Sequence, residues 1–210
     1  DWAEISVVAG DDGRARCGWC TSASDYIAYH DDEWGRPVTD DVRLYEKICL
    51  EGFQSGLSWL TILRKREGFR RAFAGFDPEV VAGYGPADVE RLMADAGIVR
   101  HRGKIEATIA NAGATLLARE RHGSLAAVVW SFEPPRAGRP VPQRMGDLVS
   151  VTAESTALAK ALRKLGFRFV GPTTAYAAME SLGVVNDHLA GCHVRNACED
   201  DRRRYPSPIR

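Results

Sequence analysis

Apolar residues recur at helical rather than alternating spacing along almost the whole chain. One such run places them at Val42, Tyr45, Ile48 and Cys49. Residues three and four positions apart share one face of a helix, whereas a half-buried strand would alternate apolar and polar residues. The pattern therefore predicts an all-α fold in which helices pack through apolar stripes.

Capping residues and helix breakers indicate where these helices begin and end. Caps at 39–41, Asp77-Pro78 and Pro86 are typical of helix starts, and glycines that can close a helix stand at 97, 123, 166 and 183. A short helix should follow Asp77. We predict longer helices over 41–54, 87–96, 103–121, 124–132, 154–165 and 173–182. The proline-rich stretch 133–147 predicts a loop, and the arginines at 202–204 indicate a solvated tail.

Length and charge narrow the function classes. The 210 residues, 45% of them apolar, can fill one compact domain or two small lobes that share a cleft. Lys plus Arg and Asp plus Glu each number 28, so DNA binding would need a local basic patch. Residues 1–16 lack the basic and apolar regions of a signal peptide, and no run is long enough for a membrane span. We expect a cytoplasmic protein without a membrane partner.

Two cysteine–histidine pairs lie near the two ends of the chain. Cys17 and His30 come early, while His188 and Cys192 stand at i and i+4, which on a helix would place them on one face. Two nitrogen and two sulfur ligands suit a closed, structural zinc site. A buried thiol beside a histidine is the alternative that the residues alone leave open. Competing ligands are Cys20, His193 and Cys198.

A basic turn between two predicted helices indicates phosphate binding. Arg100, His101, Arg102 and Lys104 cluster around Gly103. A helix-hairpin-helix module uses such a turn to direct backbone N–H groups at a DNA phosphate. An ordinary helical hairpin with solvated charges is the alternative. A second basic cluster covers 64–66 and 70–71.

Several strings of the chain closely resemble the bacterial DNA-3-methyladenine glycosylase I family. They are RCGWC at 16–20, YIAYHDDEWG at 26–35, ICLEGFQSGLSW at 48–59, DAGIVRHRGKI at 95–105 and GFRFVGPTTAYAAMESLGVVNDHLAGC at 166–192. The resemblance implies a helix-hairpin-helix superfamily fold and one structural zinc ion per chain. It implies a helical glycosylase domain over 16–195 with two lobes that share a cleft. Residues 1–15, an N-terminal extension whose order is left open, and the basic tail over 196–210 fall outside the resemblance. The zinc ligands implied are Cys17, His30, His188 and Cys192.

The family resemblance also assigns a pocket for a flipped base, which must be stacked on aromatic faces and read at its edge. It implies that Glu51 and Tyr29 contact the methylated base and that Trp59 stacks on it. Composition alone would place most of these aromatics in the core. Further wall candidates are Trp19, Tyr26 and Trp34.

The same resemblance places a wedge at residues 54–58, where Gly56 lets backbone enter the emptied stack and Leu57 fills it. DNA contacts are expected from Arg100, Arg102, Gly103 and Lys104. Residues 112–123 contain only one acid, Glu120, so no aspartate base of the usual superfamily type is expected.

The expected function is therefore excision of 3-methyladenine from alkylated double-stranded DNA by a monomer, without strand cleavage. A zinc-stabilised helical protein that binds or senses damaged DNA without catalysis is one rival. A zinc hydrolase is the other, but it would need an open metal position, whereas four protein ligands close the site.

Overall fold

The computed structural model describes residues 1–204, and these are mostly helical. The α-helices are α1 (Ser24–Asp32), α2 (Asp41–Phe53), α3 (Trp59–Ala72), α4 (Pro78–Val81), α5 (Pro86–Met93), α6 (Arg102–His122), α7 (Leu125–Trp130), α8 (Ala153–Leu165), α9 (Pro172–Ser181) and α10 (Arg195–Arg204). Short 3-10 helices cover Trp2–Glu4, Gly18–Cys20, Ala74–Phe76 and Met145–Asp147. Two strands, β1 (Val7–Ala9) and β2 (Ala15–Cys17), pair antiparallel.

The helices predicted from spacing and caps are confirmed. The six longer ones form as α2, α5, α6, α7, α8 and α9, and the short one forms as α4. The Asp40 side chain accepts the Arg43 N–H at the start of α2, and Gly166 ends α8 in the left-handed region at φ 109°. The predicted loop at 133–147 contains no regular element beyond its 3-10 turn.

The core forms around the long helix α6, which packs against α2, α4, α5, α7 and α8. Two large buried side chains on these helices are paired with backbone: the Tyr45 hydroxyl donates to the carbonyl of Thr108 at 2.6 Å, and Trp130 Nε1 donates to Val38 at 2.9 Å. Helices α8 and α9 pack on each other beside this centre. No helix among residues 1–204 is both long and apolar enough to span a bilayer.

The N-terminal segment is part of the fold. Strand β1 pairs with β2 in a register that places Val7 opposite Cys17, and the Ile5 carbonyl accepts the Met145 N–H at 2.8 Å. The small sheet was not predicted. Three-residue strands are too short to show a clear alternating pattern, and their position depends on a distant loop.

The prediction of a solvated tail at the arginines 202–204 is wrong, because they end helix α10. Arg202 is only 5% exposed, and its guanidinium donates to the carbonyls of Gly183 at 2.9 Å and Val184 at 3.1 Å. Its charge is therefore used to satisfy backbone acceptors after α9. Residues 205–210 of the predicted basic tail lie outside the described residues.

Candidate functional site

A cavity of about 220 Å³ opens where α1, α2, α3 and α9 meet the loop after Met145. Its wall contains every aromatic residue singled out from the sequence, together with Glu51: Trp19, Tyr26, Tyr29, Trp34 and Trp59. The cavity is smaller than the roughly 300–1,000 Å³ of pockets for drug-sized ligands, so its size suits a single planar group.

Ring-to-ring contacts hold the aromatic wall, edge-to-face around Trp19 and tilted between Tyr29 and Trp59. The Trp19 ring lies 5.1 Å from Tyr26 and 5.0 Å from Trp34, centroid to centroid, and Tyr29 lies 5.6 Å from Trp59. Such pairs stabilise one ring orientation beyond simple burial. Among the described residues, buried side-chain nitrogens without a hydrogen-bond partner are Trp59 Nε1 and Arg36 Nε. Trp59 thus brings an unused donor to the cavity wall.

Glu51 supplies an acid from the last turn of α2. It is 8% exposed, and no hydrogen bond from a described residue reaches its carboxylate. Burial raises the pKa of Glu51 to about 7, while the nearby Lys47 ammonium acts in the opposite direction. The carboxylate is therefore poorly solvated, and it has no hydrogen-bond donor among the described residues. A bound ligand could supply that donor.

Lys47 was not singled out from the sequence, yet it lies directly behind the pocket wall. Its Nζ donates to the Tyr29 hydroxyl at 2.8 Å and lies 4.3 Å from the Trp59 ring centroid. Burial lowers the pKa of Lys47 to about 8. Its i, i+4 spacing from Glu51 on α2 was the signal that could have identified it.

A second acid, Glu180 on α9, also lines the cavity and was missed. Burial, with the carboxyls of Asp187 and Glu51 nearby, raises its pKa well above the usual range. Asp187 in turn accepts hydrogen bonds from Arg139 at 3.0 Å and from the Tyr176 hydroxyl. Two acids with different surroundings therefore face one cavity.

The four predicted metal ligands lie together next to this cavity. Cys17, His30, His188 and Cys192 are all buried, and their ligand atoms lie within 4.8 Å of one another. The two histidine nitrogens are 3.2 Å apart, and three sulfur–nitrogen distances are 3.5, 3.5 and 3.8 Å. The cluster could therefore hold a metal ion.

These distances match the edges of a tetrahedron around one ion. Bonds of about 2.0–2.1 Å to nitrogen and about 2.3 Å to sulfur require edges of about 3.3 Å between nitrogens and about 3.6 Å between nitrogen and sulfur. The outer ring nitrogens are also held: His30 Nδ1 lies 2.8 Å from an Asp31 carboxylate oxygen, and His188 Nε2 lies 2.7 Å from the Trp34 carbonyl. Such contacts orient metal-binding imidazoles.

The segment that carries His188 and Cys192 is a turn rather than the helix considered from its spacing. The Cys192 N–H donates to the Leu189 carbonyl at 2.9 Å, and the Leu189 N–H donates to Cys17 Sγ at 3.4 Å. The turn still brings imidazole and thiol together. Gly35, at φ 87°, allows this approach because a Cβ there would lie 2.9 Å from the His188 ring.

The basic residues of the hairpin turn before α6 differ in exposure and in their partners. Arg100 is exposed, while Arg102 pairs with Glu90 at 2.7 Å on the surface. Lys104 is 7% exposed, and its Nζ donates to the carbonyls of Phe53 and Ser55. The prediction that the Lys104 side chain contacts DNA therefore has no support, because this ammonium holds the segment leading to Gly56.

The proposed wedge begins at Gln54, which lines the cavity. Gly56 adopts φ 79°, and Leu57 is 40% exposed.

The second basic cluster, at 64–66 and 70–71, is mostly neutralised by ion pairs within the protein. Its ion pairs are Arg64 with Asp25, Arg66 with Glu33 and Arg70 with Glu46.

A helical fold with a small aromatic cavity, lined also by Glu51 and Glu180, is suited to a protein that binds one planar, polar ring. A family model for methyladenine glycosylase matches residues 19–196. The DNA-3-methyladenine glycosylase 1 of Escherichia coli (strain K12) is 50% identical over 177 residues, which cover 84% of this chain and 95% of that protein. The chain belongs to the methyladenine glycosylase family.

Two further comparisons agree. The DNA-3-methyladenine glycosylase of Haemophilus influenzae is 47% identical over 180 residues, covering 84% of this chain and 96% of that protein. A solved structure of the Staphylococcus aureus 3-methyladenine DNA glycosylase I, described as the structural basis of 3-methyladenine recognition, has a TM-score of 0.80 at 36% identity. It covers 86% of this chain and 96% of that one.

Proposed function

We propose that this protein excises 3-methyladenine from alkylated double-stranded DNA by hydrolysing the N-glycosidic bond. The observation that carries the proposal is a desolvated, hydrogen-bond-free Glu51 carboxylate facing an aromatic cavity. Methylation at N3 makes the adenine in DNA cationic, so a buried carboxylate selects it over the neutral base. Relatives in the same family are named for this substrate.

The aromatic wall holds the flipped base while the bond breaks. Trp59 offers a stacking face and Tyr29 a hydroxyl, and Trp19, Tyr26 and Trp34 complete the enclosure. The base leaves as neutral 3-methyladenine, water adds to the sugar carbon, and one proton is released. Because the cationic base is already a good leaving group, little further acid catalysis is required.

Strand cleavage is not part of the proposed reaction. Enzymes that also cut the backbone use a free lysine amine to form a Schiff base. Lys104 is the lysine of the hairpin, and its Nζ is bound to the carbonyls of Phe53 and Ser55. Glu120, the acid present in 112–123, is exposed on α6.

DNA binding is assigned to the hairpin between α5 and α6, in a helix-hairpin-helix arrangement. The exposed Arg100 and the partly buried Gly103 lie at the start of α6, where N–H groups favour a phosphate. Arg102 can exchange Glu90 for a phosphate, since the pair is exposed. Leu57 and Gly56 would enter the space that the flipped nucleotide leaves.

One zinc ion per chain is proposed at Cys17, His30, His188 and Cys192, with a structural role. The tetrahedral distances and the bound outer ring nitrogens support it. Four protein ligands leave no position for water, which argues against a zinc hydrolase.

Incubation of the protein with methylated duplex DNA, followed by identification of the released base, tests the function. Free 3-methyladenine and an unbroken, alkali-sensitive strand are expected. Glu51→Gln provides the matched control. Binding of methylated DNA without release of any base would favour the damage-sensing rival instead.

A further inference from the structure

The cavity contains an acid that the proposed reaction has not used. Glu180 projects from α9, whereas Glu51 lies on α2, so the two carboxyls reach the cavity from different helices. The unpartnered Trp59 Nε1 lies in the same wall. The free indole N–H and the acids beside it indicate that a polar ligand completes the hydrogen bonding here.

The surroundings of Glu180 favour its protonated form. The charged and titratable groups that face it are the carboxyls of Asp187 and Glu51, the Arg139 guanidinium and the Tyr176 hydroxyl. Arg139 donates to Asp187 and to Tyr176, each at 3.0 Å, and Tyr176 donates to Asp187. Burial raises the pKa of Glu180, and so do the Asp187 carboxyl, with which it shares a side-chain hydrogen bond, and the nearby Glu51 carboxyl.

We propose that Glu180 acts as a neutral carboxylic acid that reads the amine-bearing edge of the flipped base. Its O–H would donate to Asp187, with which it shares a side-chain hydrogen bond, and its C=O would accept from the adenine amine. This inference rests on the proposed function. The side-chain amide of glutamine offers the same donor and acceptor, so a protonated glutamate is the equivalent of glutamine here.

The same pairing would make Glu180 a specificity residue. Guanine carries a carbonyl oxygen where adenine carries its amine, so the C=O of Glu180 would face another acceptor. A polar group left without its partner in a buried site weakens binding strongly. Glu180 thus favours 3-methyladenine over 3-methylguanine, a choice that Glu51 alone does not enforce.

The test compares the wild type with Glu180→Gln, Glu180→Ala and the exposed control Glu79→Gln. Binding of free 3-methyladenine, and release of 3-methyladenine and 3-methylguanine from methylated duplex DNA, are measured across a pH series. Thermal melts establish that each variant is folded. The Gln variant should match the wild type within about twofold at neutral pH, while the Ala variant should bind the base about tenfold more weakly.

Two further results are expected. Wild-type activity should fall at alkaline pH as Glu180 ionises, and Glu180→Gln should lack that fall. Glu180→Ala should lose part of the preference for 3-methyladenine. If Glu180→Gln is as weak as Glu180→Ala, or if Glu180→Ala binds like the wild type, the inference is overturned. The proposed function survives either of these results provided that the wild type still releases 3-methyladenine.

Discussion

The metal cluster and the base pocket share walls but differ in how their polar groups are satisfied. Trp19 packs edge-on against His30 at 5.2 Å, and Trp34 against His188 at 4.8 Å, centroid to centroid. In the cluster, each imidazole has one nitrogen facing the ligand set and the other bound outside it. In the pocket, neither the Glu51 carboxylate nor Trp59 Nε1 has a hydrogen-bond partner among residues 1–204.

This is the difference expected between a site with a structural role, as we propose for the cluster, and a site that binds a ligand. A buried polar group that lacks a partner costs about 1–3 kcal/mol, so such groups in the wall of a cavity indicate that a ligand completes them. The polar groups of the cluster already have partners, so none of them is left to bind a substrate. The cluster also packs against the tryptophans of the pocket wall and holds them in place. The pocket leaves its acids available to a cationic or polar base.

Removing a cluster ligand should have the largest effect. Cys192→Ser should reduce zinc from about one ion per chain to near zero and lower the melting temperature by roughly 10 °C, the scale expected for a loss of about 4 kcal/mol in a chain of this size. The ion would join residues from both ends of the chain, which limits the unfolded ensemble. Metal analysis and thermal melts measure both changes.

Cys20→Ser and Cys198→Ser are the controls for this experiment, because both thiols are buried close by but lie outside the tetrahedral set. They should leave the zinc content near one. Zinc that survives Cys192→Ser but disappears with Cys20→Ser would show that the ligand set is wrong. Folded Cys192→Ser protein should still bind 3-methyladenine, since the pocket acids are intact.

Glu51→Gln should affect the pocket and leave the cluster unchanged. Replacing a charged acceptor by a neutral one removes roughly 1.5–3 kcal/mol, so excision should slow by about 10- to 100-fold. Zinc content and melting temperature should stay close to the wild type. An unchanged rate of base release would contradict the role assigned to Glu51.

Lys47→Met should shift the pH dependence of the pocket. The Lys47 ammonium lowers the pKa of Glu51, so its removal should raise that pKa further. Excision requires ionised Glu51. The excision rate should therefore begin to rise at a pH about one unit higher in the variant than in the wild type. The exposed Lys160→Met on α8 is the control. If the acidic side of the rate profile does not move, Lys47 only supports Tyr29.

Local patterns predicted most helices because their determinants lie within each element. The Asp40 cap and the apolar stripe of α2 are readable from a dozen residues. Helix α10 escaped prediction because its sequence is almost entirely polar and Arg202 is buried only by contact with the carbonyls after α9. Strands β1 and β2 likewise depend on the loop at Met145.

The residues of the candidate site also divide into those that the sequence could predict and those that it could not. The aromatics and Glu51 were found by family resemblance, and the metal pairs by residue type, although the turn around His188 differs from the helix considered. Lys47 could have been found from its spacing to Glu51. Glu180 could not, because its role depends on Asp187 and Arg139, which come from separate loops and meet only after folding.

Arg100→Ala should have the smallest effect and should leave both regions untouched. Arg100 is exposed at the hairpin, and no ion pair from residues 1–204 engages it. A phosphate contact releases about one counterion, so the variant should bind every duplex more weakly and reduce the slope of log K against log salt by about one. Binding of free 3-methyladenine and the zinc content should not change. Salt titrations on methylated and unmethylated duplexes measure the slope, with Arg71→Ala on α3 as an exposed control. A defect confined to methylated DNA would show that Arg100 serves the pocket rather than the phosphate backbone.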